Sequence, residues 1–159
     1  FNGEGILVAN WDCQAQRNSN LSKAEHETKL TEAFGLKRLI WAYGHDPDDG
    51  TTGHIDGIAR FISADRIVIA EYSSRVNFKQ LVSDCQSAGL EVIRYPGDPN
   101  WLVGNGFVIG MGDGSDRDLY LKGLIEGFFP NREVHMIDGR HISESGGGIH
   151  CVTNDQPEL

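Results

Sequence analysis

Residues 66–95 read RIVIAEYSSRVNFKQLVSDCQSAGLEVIRY, and this stretch decides the fold class. It begins and ends with short runs rich in β-branched residues, over 66–70 and 90–95. Such runs, bounded by turn residues, are typical of buried strands. Between them, Gly89 follows a segment whose apolar residues share one helical stripe: Phe78, Leu81, Val82 and Cys85. The stretch therefore predicts a strand–helix–strand unit.

The same pattern lies upstream. Strands are predicted over 5–10 and 37–42, where short apolar runs occur again. The helix between them is predicted to begin at Ser22, because Ser22 and Glu25 have the spacing of a capping box. Gly35 is predicted to end it. The expected apolar face consists of Leu30, Ala33 and Phe34.

A third unit lies downstream, with strands predicted over 106–110 and 132–137 and a helix from about Ser115. Its candidate core residues are Leu119, Leu121, Leu124, Ile125 and Phe128. Three such units predict an α/β fold of repeated strand–helix–strand modules, with insertions in the loops. A doubly wound nucleotide-binding sheet is the alternative, but no Gly-x-Gly-x-x-Gly follows the first strand.

Composition restricts the functional classes. The 159 residues include 14 Lys+Arg and 23 Asp+Glu, and the net charge of −9 argues against a nucleic-acid partner. No apolar run approaches the roughly 20 residues of a membrane span, so no membrane association is expected. Three widely spaced cysteines do not form a disulfide framework, which favours a reducing, cytoplasmic location.

One loop, 46–57, carries His54 and Asp56 two positions apart, before the apolar run 58–62. In an extended chain, residues two apart point to the same side. An imidazole and a carboxylate would then share one face of a site. The alternative is a polar turn whose His54 and Asp56 face solvent.

A second loop, 145–153, contains three consecutive glycines, Gly146 to Gly148, followed by His150 and Cys151. Ordering three glycines is entropically costly, and it makes sense where the backbone approaches a ligand or adopts positive φ. The alternative is a flexible tail with a buried cysteine. Together with the distant His54, however, Cys151 favours nucleophilic catalysis.

The other cysteines are predicted to be packing residues, with Cys13 closing an apolar strand and Cys85 on a helical stripe. Zinc is conceivable by residue type, but no metal-finger spacing occurs among the candidate ligands His54, Asp56, His150 and Cys151. A zinc site is therefore not favoured.

The two loops carry a family resemblance. Residues 49–61, DGTTGHIDGIARF, resemble the histidine motif of agmatine deiminases and bacterial, Porphyromonas-type peptidylarginine deiminases. Residues 146–157, GGGIHCVTNDQP, resemble their C-terminal cysteine motif, and 100–109 is similar to the segment between the two. Shorter likenesses occur at 2–5, at Arg17-Asn18 and at Leu21-Ser22. The resemblance covers essentially the whole chain.

The resemblance implies the pentein fold, a fivefold pseudosymmetric α/β propeller. Residues 1–159 would form a single domain, the C-terminal portion of such a propeller. Family members place further acidic substrate-binding residues in an upstream half. A companion chain or a missing N-terminal half is therefore expected, and a homo-oligomer is possible. A non-catalytic half-propeller that needs a partner is the alternative.

The same resemblance implies a small cationic guanidinium substrate, agmatine being favoured over free or peptidyl arginine. Cys151 would attack the guanidinium carbon, His54 would carry the proton, and Asp56 would bind the cation. A covalent thiouronium would then be hydrolysed to a ureido product, and no metal or organic cofactor would be required. Gly147 and Gly148 would lie close to the substrate, and Asn100 and Asn105 are weaker candidates for polar contacts. Amidino transfer to an amine would use the same intermediate.

Overall fold

The structure, a computed structural model, describes residues 1–71 and 77–154. Within these ranges the strands are β1 (Ile6–Asn10), β2 (Arg38–Ala42), β3 (Ala59–Phe61), β4 (Arg66–Ala70), β5 (Glu91–Tyr95), β6 (Leu102–Gly104), β7 (Phe107–Gly112) and β8 (Glu133–Asp138). The helices are α1 (Trp11–Arg17), α2 (Lys23–Phe34), α3 (Phe78–Ser87), α4 (Asp116–Phe128) and α5 (Arg140–Glu144). A 3-10 turn covers Ile55–Gly57.

The described strands form three small sheets, each built on a parallel pair whose strands are connected through helix. The pairs are β1 with β2, β4 with β5, and β7 with β8. In the second and third sheets an antiparallel strand, β3 or β6, is added at the edge. The mixed α/β class and the six predicted strands are confirmed. The two short edge strands were not predicted, because three residues give too little pattern to recognise.

Helix ends follow the predicted local chemistry. At the start of α2, Ser22 accepts the backbone N–H of Glu25 while the Glu25 side chain accepts the backbone N–H of Ser22. At its end, Gly35 adopts a left-handed conformation with φ of 60°. The expected apolar face of α2 is wrong at two of its three positions: Ala33 and Phe34 are exposed and Leu30 is partly buried, whereas His26 is the buried residue of the helix.

The buried face of α4 differs from the prediction at one position. Leu121 and Ile125 are buried, as expected, whereas Leu119 is 73% exposed. Residues four apart share a helix face, but a residue two positions earlier lies on nearly the opposite side. Leu119 therefore cannot join the stripe formed by Leu121 and Ile125.

Helix α1 follows β1 without a loop and was not predicted. Asn10 ends the strand and caps the helix, because its side chain accepts the backbone N–H of Asp12. Cys13 lies in this helix, so its predicted place in a strand is wrong, although it is buried as a packing residue should be. Among the described helices, none is long and apolar enough to span a bilayer.

A buried aromatic cluster fixes the connection between β5 and β6. Tyr95 and Trp101 are both almost fully buried, and their rings pack edge to face at 4.9 Å. Trp101 also packs against Phe129, which follows α4. The short connection between Tyr95 and Trp101 is thereby anchored at both ends. Asn100, which precedes Trp101, is held in a defined position.

Candidate active site

The loop that carries His54 is organised by Asp49. The Asp49 carboxylate accepts the backbone N–H groups of Thr51 and Gly53, at 2.8 and 3.0 Å, and the Thr51 hydroxyl at 2.6 Å. The backbone N–H of His54 donates to that same hydroxyl at 3.2 Å. Gly53 has φ of 81°, and a β-carbon there would crowd the Asn10 side chain. The loop is therefore pinned against the end of β1.

His54 and Asp56 do not lie in an extended segment, so that part of the prediction is wrong. His54 directly precedes the 3-10 turn, and Asp56 lies within it. Turn residues 55–57 precede β3 and pack close to it, which requires the chain to bend here. The turn nevertheless directs both side chains into one cavity.

The cysteine loop follows α5 and is held by Asn100. The Nδ2 of Asn100 donates to the Sγ of Cys151 at 3.2 Å, and its Oδ1 accepts the backbone N–H of His150 at 2.9 Å. Gly146 has φ of 83°, as expected of a glycine-rich loop. A β-carbon at Gly148 would overlap the Asn100 side chain, so the close approach that this glycine permits is to Asn100.

The two candidate asparagines lie in different surroundings. Asn100 is 5% exposed and both ends of its amide are hydrogen-bonded to the cysteine loop. Asn105 is exposed in the turn between β6 and β7. It is not among the described residues that line the cavity beside Cys151.

Asp56 joins the two loops. Its Oδ2 accepts hydrogen bonds from the Nδ1 of His150 at 2.7 Å and from the Sγ of Cys151 at 3.4 Å. Burial by itself raises the pKa of the Asp56 carboxyl, but the hydrogen bonds from His150 and Cys151 and the nearby histidine rings outweigh burial. The resulting pKa lies below the ordinary value, so Asp56 is ionised at neutral pH.

The cavity at this point has a volume of about 360 Å³ and is strongly acidic. Its described lining includes no lysine or arginine, and the carboxylates on it are Asp46, Asp48, Asp49, Asp56 and Asp98. His54, Asn100, Gly147, Gly148 and Cys151 also line it. The structure thus brings together every predicted site residue except Asn105. A free thiol in an acidic pocket can receive a planar cation and attack it.

Three contacts of the site were not predicted. His150 pairs with Asp56, Asn100 holds the thiol, and Arg17 contacts the imidazole of His54. The position of His150 beside Cys151 was visible in the sequence, but the partner of its side chain was not. Within the described ranges, no group of three or more His, Cys, Asp and Glu side chains is arranged to hold a metal ion.

The sequence profile of the Porphyromonas-type peptidyl-arginine deiminase family matches residues 1–91 and 98–157, which is nearly the whole chain. The chain belongs to this family. Asp155 to Pro157, at the end of the cysteine motif, lie outside the described residues.

Individual relatives that the chain resembles are named agmatine deiminases. The chain is 26% identical to an agmatine deiminase of Pseudomonas aeruginosa strain LESB58, over 98% of its own length and 54% of that protein. It is 25% identical to an agmatine deiminase of Pseudomonas fluorescens strain SBW25, over the same shares. The chain spans about half the length of the curated relatives that it matches.

Solved structures agree with the fold. A C. jejuni agmatine deiminase with substrate bound, in a cysteine-to-serine variant, superimposes with a TM-score of 0.81 at 26% identity. The match covers 94% of this chain and 52% of that protein. An agmatine deiminase of Enterococcus faecalis gives a TM-score of 0.85 at 18% identity, over 99% and 55% of the two chains. At that identity the likeness concerns the fold alone.

The ionisation of Asp56 predicts a pH-dependent contribution to stability. Because the folded pKa is below the unfolded one, the contribution is present above the unfolded value and disappears as pH falls through the folded value. We expect Asp56→Asn to lower the free energy of unfolding at pH 6 by about 1–3 kcal/mol. The difference from wild type should shrink below about pH 4. Urea unfolding at both pH values measures it, with Asp48→Asn as an exposed control. An equal difference at both pH values would contradict the assignment.

The contacts of Asn100 lead to a second prediction, that its replacement changes the reactivity of the Cys151 thiol. In Asn100→Ala the Cys151 sulfur loses an N–H donor and the backbone N–H of His150 loses its acceptor. We expect about 1–3 kcal/mol of destabilisation and slower alkylation of Cys151 by iodoacetamide at fixed pH, since Asn100 no longer holds the sulfur in position. Asn105→Ala is the matched control, because Asn105 is exposed. Equal alkylation rates in the two variants would argue against a role for Asn100 at the sulfur.

Proposed function

We propose that the protein hydrolyses a guanidinium substrate to a ureido product and ammonia through a covalent intermediate on Cys151. The observation that carries this proposal is an exposed free thiol that lies 3.4 Å from an ionised carboxylate in a cavity lined by acidic residues. A guanidinium is planar and cationic, and carboxylates bind such groups through paired N–H···O bonds. Membership of a deiminase family supports the same reaction.

The proposed chemical steps are carried by side chains of this chain. Asp56 binds the guanidinium N–H groups. Cys151 passes its thiol proton to His54 as its sulfur attacks the central carbon and forms a C–S bond. A C–N bond then breaks, and ammonia leaves with a proton supplied by His54. Water, deprotonated by His54, attacks the thiouronium carbon. The C–S bond breaks, and the ureido product and the thiol are released.

Asp56 has two resting partners that bear on substrate binding. Its Oδ2 is already hydrogen-bonded to His150 and Cys151, so an incoming guanidinium exchanges one charge-assisted interaction for another. The free-energy cost of removing water from the Asp56 carboxylate on substrate binding is therefore smaller than its burial alone suggests. Asn100 keeps the sulfur in place while this exchange occurs, which is the role we propose for it in place of a direct substrate contact.

We propose agmatine as the substrate. The relatives named above are agmatine deiminases. A cavity with five carboxylates and no lysine or arginine in its described lining also suits a substrate with two positive ends and no carboxylate. Free arginine and peptidyl arginine are the alternatives. We further propose that the protein acts in the cytoplasm, which its three free cysteines favour.

We also propose that the chain acts as part of a larger pentein propeller, completed by a companion chain or by further residues of the same protein. Its match to only about half of each relative supports this view. Size-exclusion chromatography and native mass spectrometry test it. A stable monomer of these residues alone with full turnover would contradict it. A companion that binds without any turnover would favour a non-catalytic half-propeller instead.

Ammonia release from matched substrates tests the reaction. Agmatine and arginine differ only in the α-carboxylate, and a short arginyl peptide removes the free carboxylate without removing the rest. We expect ammonia in the order agmatine, arginyl peptide, arginine. No ammonia from any of them, with the complementing residues present, would overturn the proposed function. Adding an amine acceptor and measuring its amidino product distinguishes transfer from hydrolysis.

A further inference from the structure

The end of α1 contacts the His54 loop at two consecutive residues. The Nη2 of Arg17 lies 2.8 Å from the Nε2 of His54. The side-chain carbonyl oxygen of the preceding Gln16 accepts the hydroxyl of Thr52. Thr52 has φ of 59°, a left-handed conformation that β-branched residues rarely adopt. Helix α1 therefore holds a locally strained loop at the point where the loop presents His54.

The chemistry of arginine determines the state of the imidazole in this contact. A guanidinium has only N–H donors, so the Nε2 of His54 must accept with its lone pair. In a neutral imidazole the proton then resides on Nδ1. A proton on Nε2 would direct an N–H group at another N–H group and place two cations in contact, which is unfavourable at this distance.

We propose that Arg17 is a positioning residue for His54: it holds the imidazole in the Nδ1–H tautomer and so makes Nε2 the atom that accepts and returns the proton. This inference rests on the proposed function of His54. With Nδ1 already protonated, the lone pair on Nε2 is the place where a proton can be taken up. In the first half of the reaction, Nε2 takes the thiol proton of Cys151 and passes it to the departing ammonia. In the second half it takes a proton from the attacking water and returns it to the sulfur as the C–S bond breaks.

The position of Arg17 suits this role. Its side chain is exposed at the end of α1, so it can move aside when a proton or a substrate atom reaches Nε2.

Nitrogen-15 NMR of histidine-labelled protein tests the tautomer without any need for turnover. The signals of His54 are identified by their absence in His54→Gln. We expect the wild-type ring to show the pattern of the Nδ1–H tautomer, and Arg17→Ala to show a loss of that pattern in favour of the Nε2–H form. Arg17→Lys retains a cationic donor and should therefore retain part of the Nδ1–H pattern. Lys29→Gln removes one exposed positive charge from α2 and should change nothing at His54.

Two NMR results would overturn the proposal. One is a wild-type His54 ring in the Nε2–H form, which needs no variant and is therefore independent of whether any variant folds. The other is an unchanged tautomer in a folded Arg17→Ala protein, judged folded by the other histidine signals. Either result applies whatever reaction the protein catalyses, so it is distinguishable from failure of the proposed function.

Steady-state kinetics give the second readout. In the protein that turns over agmatine, we expect Arg17→Ala to lower kcat about tenfold to a hundredfold while KM changes less than about twofold. Gln16→Ala removes the neighbouring loop contact but keeps Arg17, and should have a smaller effect on kcat. A raised KM at constant kcat in Arg17→Ala would instead make Arg17 a substrate-binding residue and would overturn the positioning role.

Discussion

Replacing Cys151 by alanine is expected to abolish ammonia release, with a loss in kcat of about 10⁴-fold or more. The reason is that the proposed reaction divides one difficult hydrolysis into two steps, both of which use the sulfur. Nothing else among the described residues of the cavity offers a thiol. The measurement is ammonia release from agmatine by the wild-type protein and the variant under identical conditions.

The chain supplies its own controls for this experiment. Cys13 and Cys85 are free but buried, and burial raises the pKa of the Cys85 thiol to about 12. Cys13→Ala should therefore keep turnover and lose only some stability. Mass spectrometry of wild-type protein quenched during turnover should find an added amidino group on the peptide that contains Cys151. Wild-type turnover in Cys151→Ala would disprove the nucleophile assignment.

Replacing His54 by alanine is expected to lower kcat by about 10²–10⁴-fold. His54 supplies the proton for ammonia departure and removes one from the attacking water, so both halves of the reaction slow down. Asp56 and Asn100 still hold Cys151 in this variant, and the substrate still meets the acidic lining, so KM should change much less than kcat.

Two further measurements sharpen this prediction. Added imidazole should restore part of the lost activity to His54→Ala, because the variant leaves space for it beside Asp56. His141→Gln is the matched control, since His141 is almost fully exposed on α5. Full activity of His54→Ala without imidazole would mean that another group carries the proton. His150, which pairs with Asp56, would be the first residue to test.

Much of the fold could be predicted because its determinants are local. Runs such as 66–70 form strands that are buried on both faces, and a capping box begins α2 with Ser22 and Glu25 in their expected contacts. Leu119 shows where this reasoning fails. It is apolar but lies two positions before Leu121, on nearly the opposite face of α4, so residue type suggested a core position that the helical period does not allow.

The candidate site was likewise only partly predictable from the sequence. His54, Asp56 and Cys151 stand out by residue type, and a shared cavity could be predicted for them from the family resemblance. The 3-10 turn at Asp56 could not, because β3 and its packing impose it. The contacts made by Arg17 and Asn100 join residues 37 and 51 positions apart, and no local pattern in the sequence reports such distances.

The close packing of Gly148 on Asn100 has a consequence for attempts to alter which substrates the protein accepts. At Gly148 the cavity wall tolerates no added atoms, because any side chain there displaces the amide that supports the sulfur. The facing loop, over 46–50, bears no such restriction at Gly50, where a new side chain meets open space. A mutant library aimed at new selectivity should therefore vary Gly50, keep Asp49, which organises the loop, and leave Gly148 unchanged.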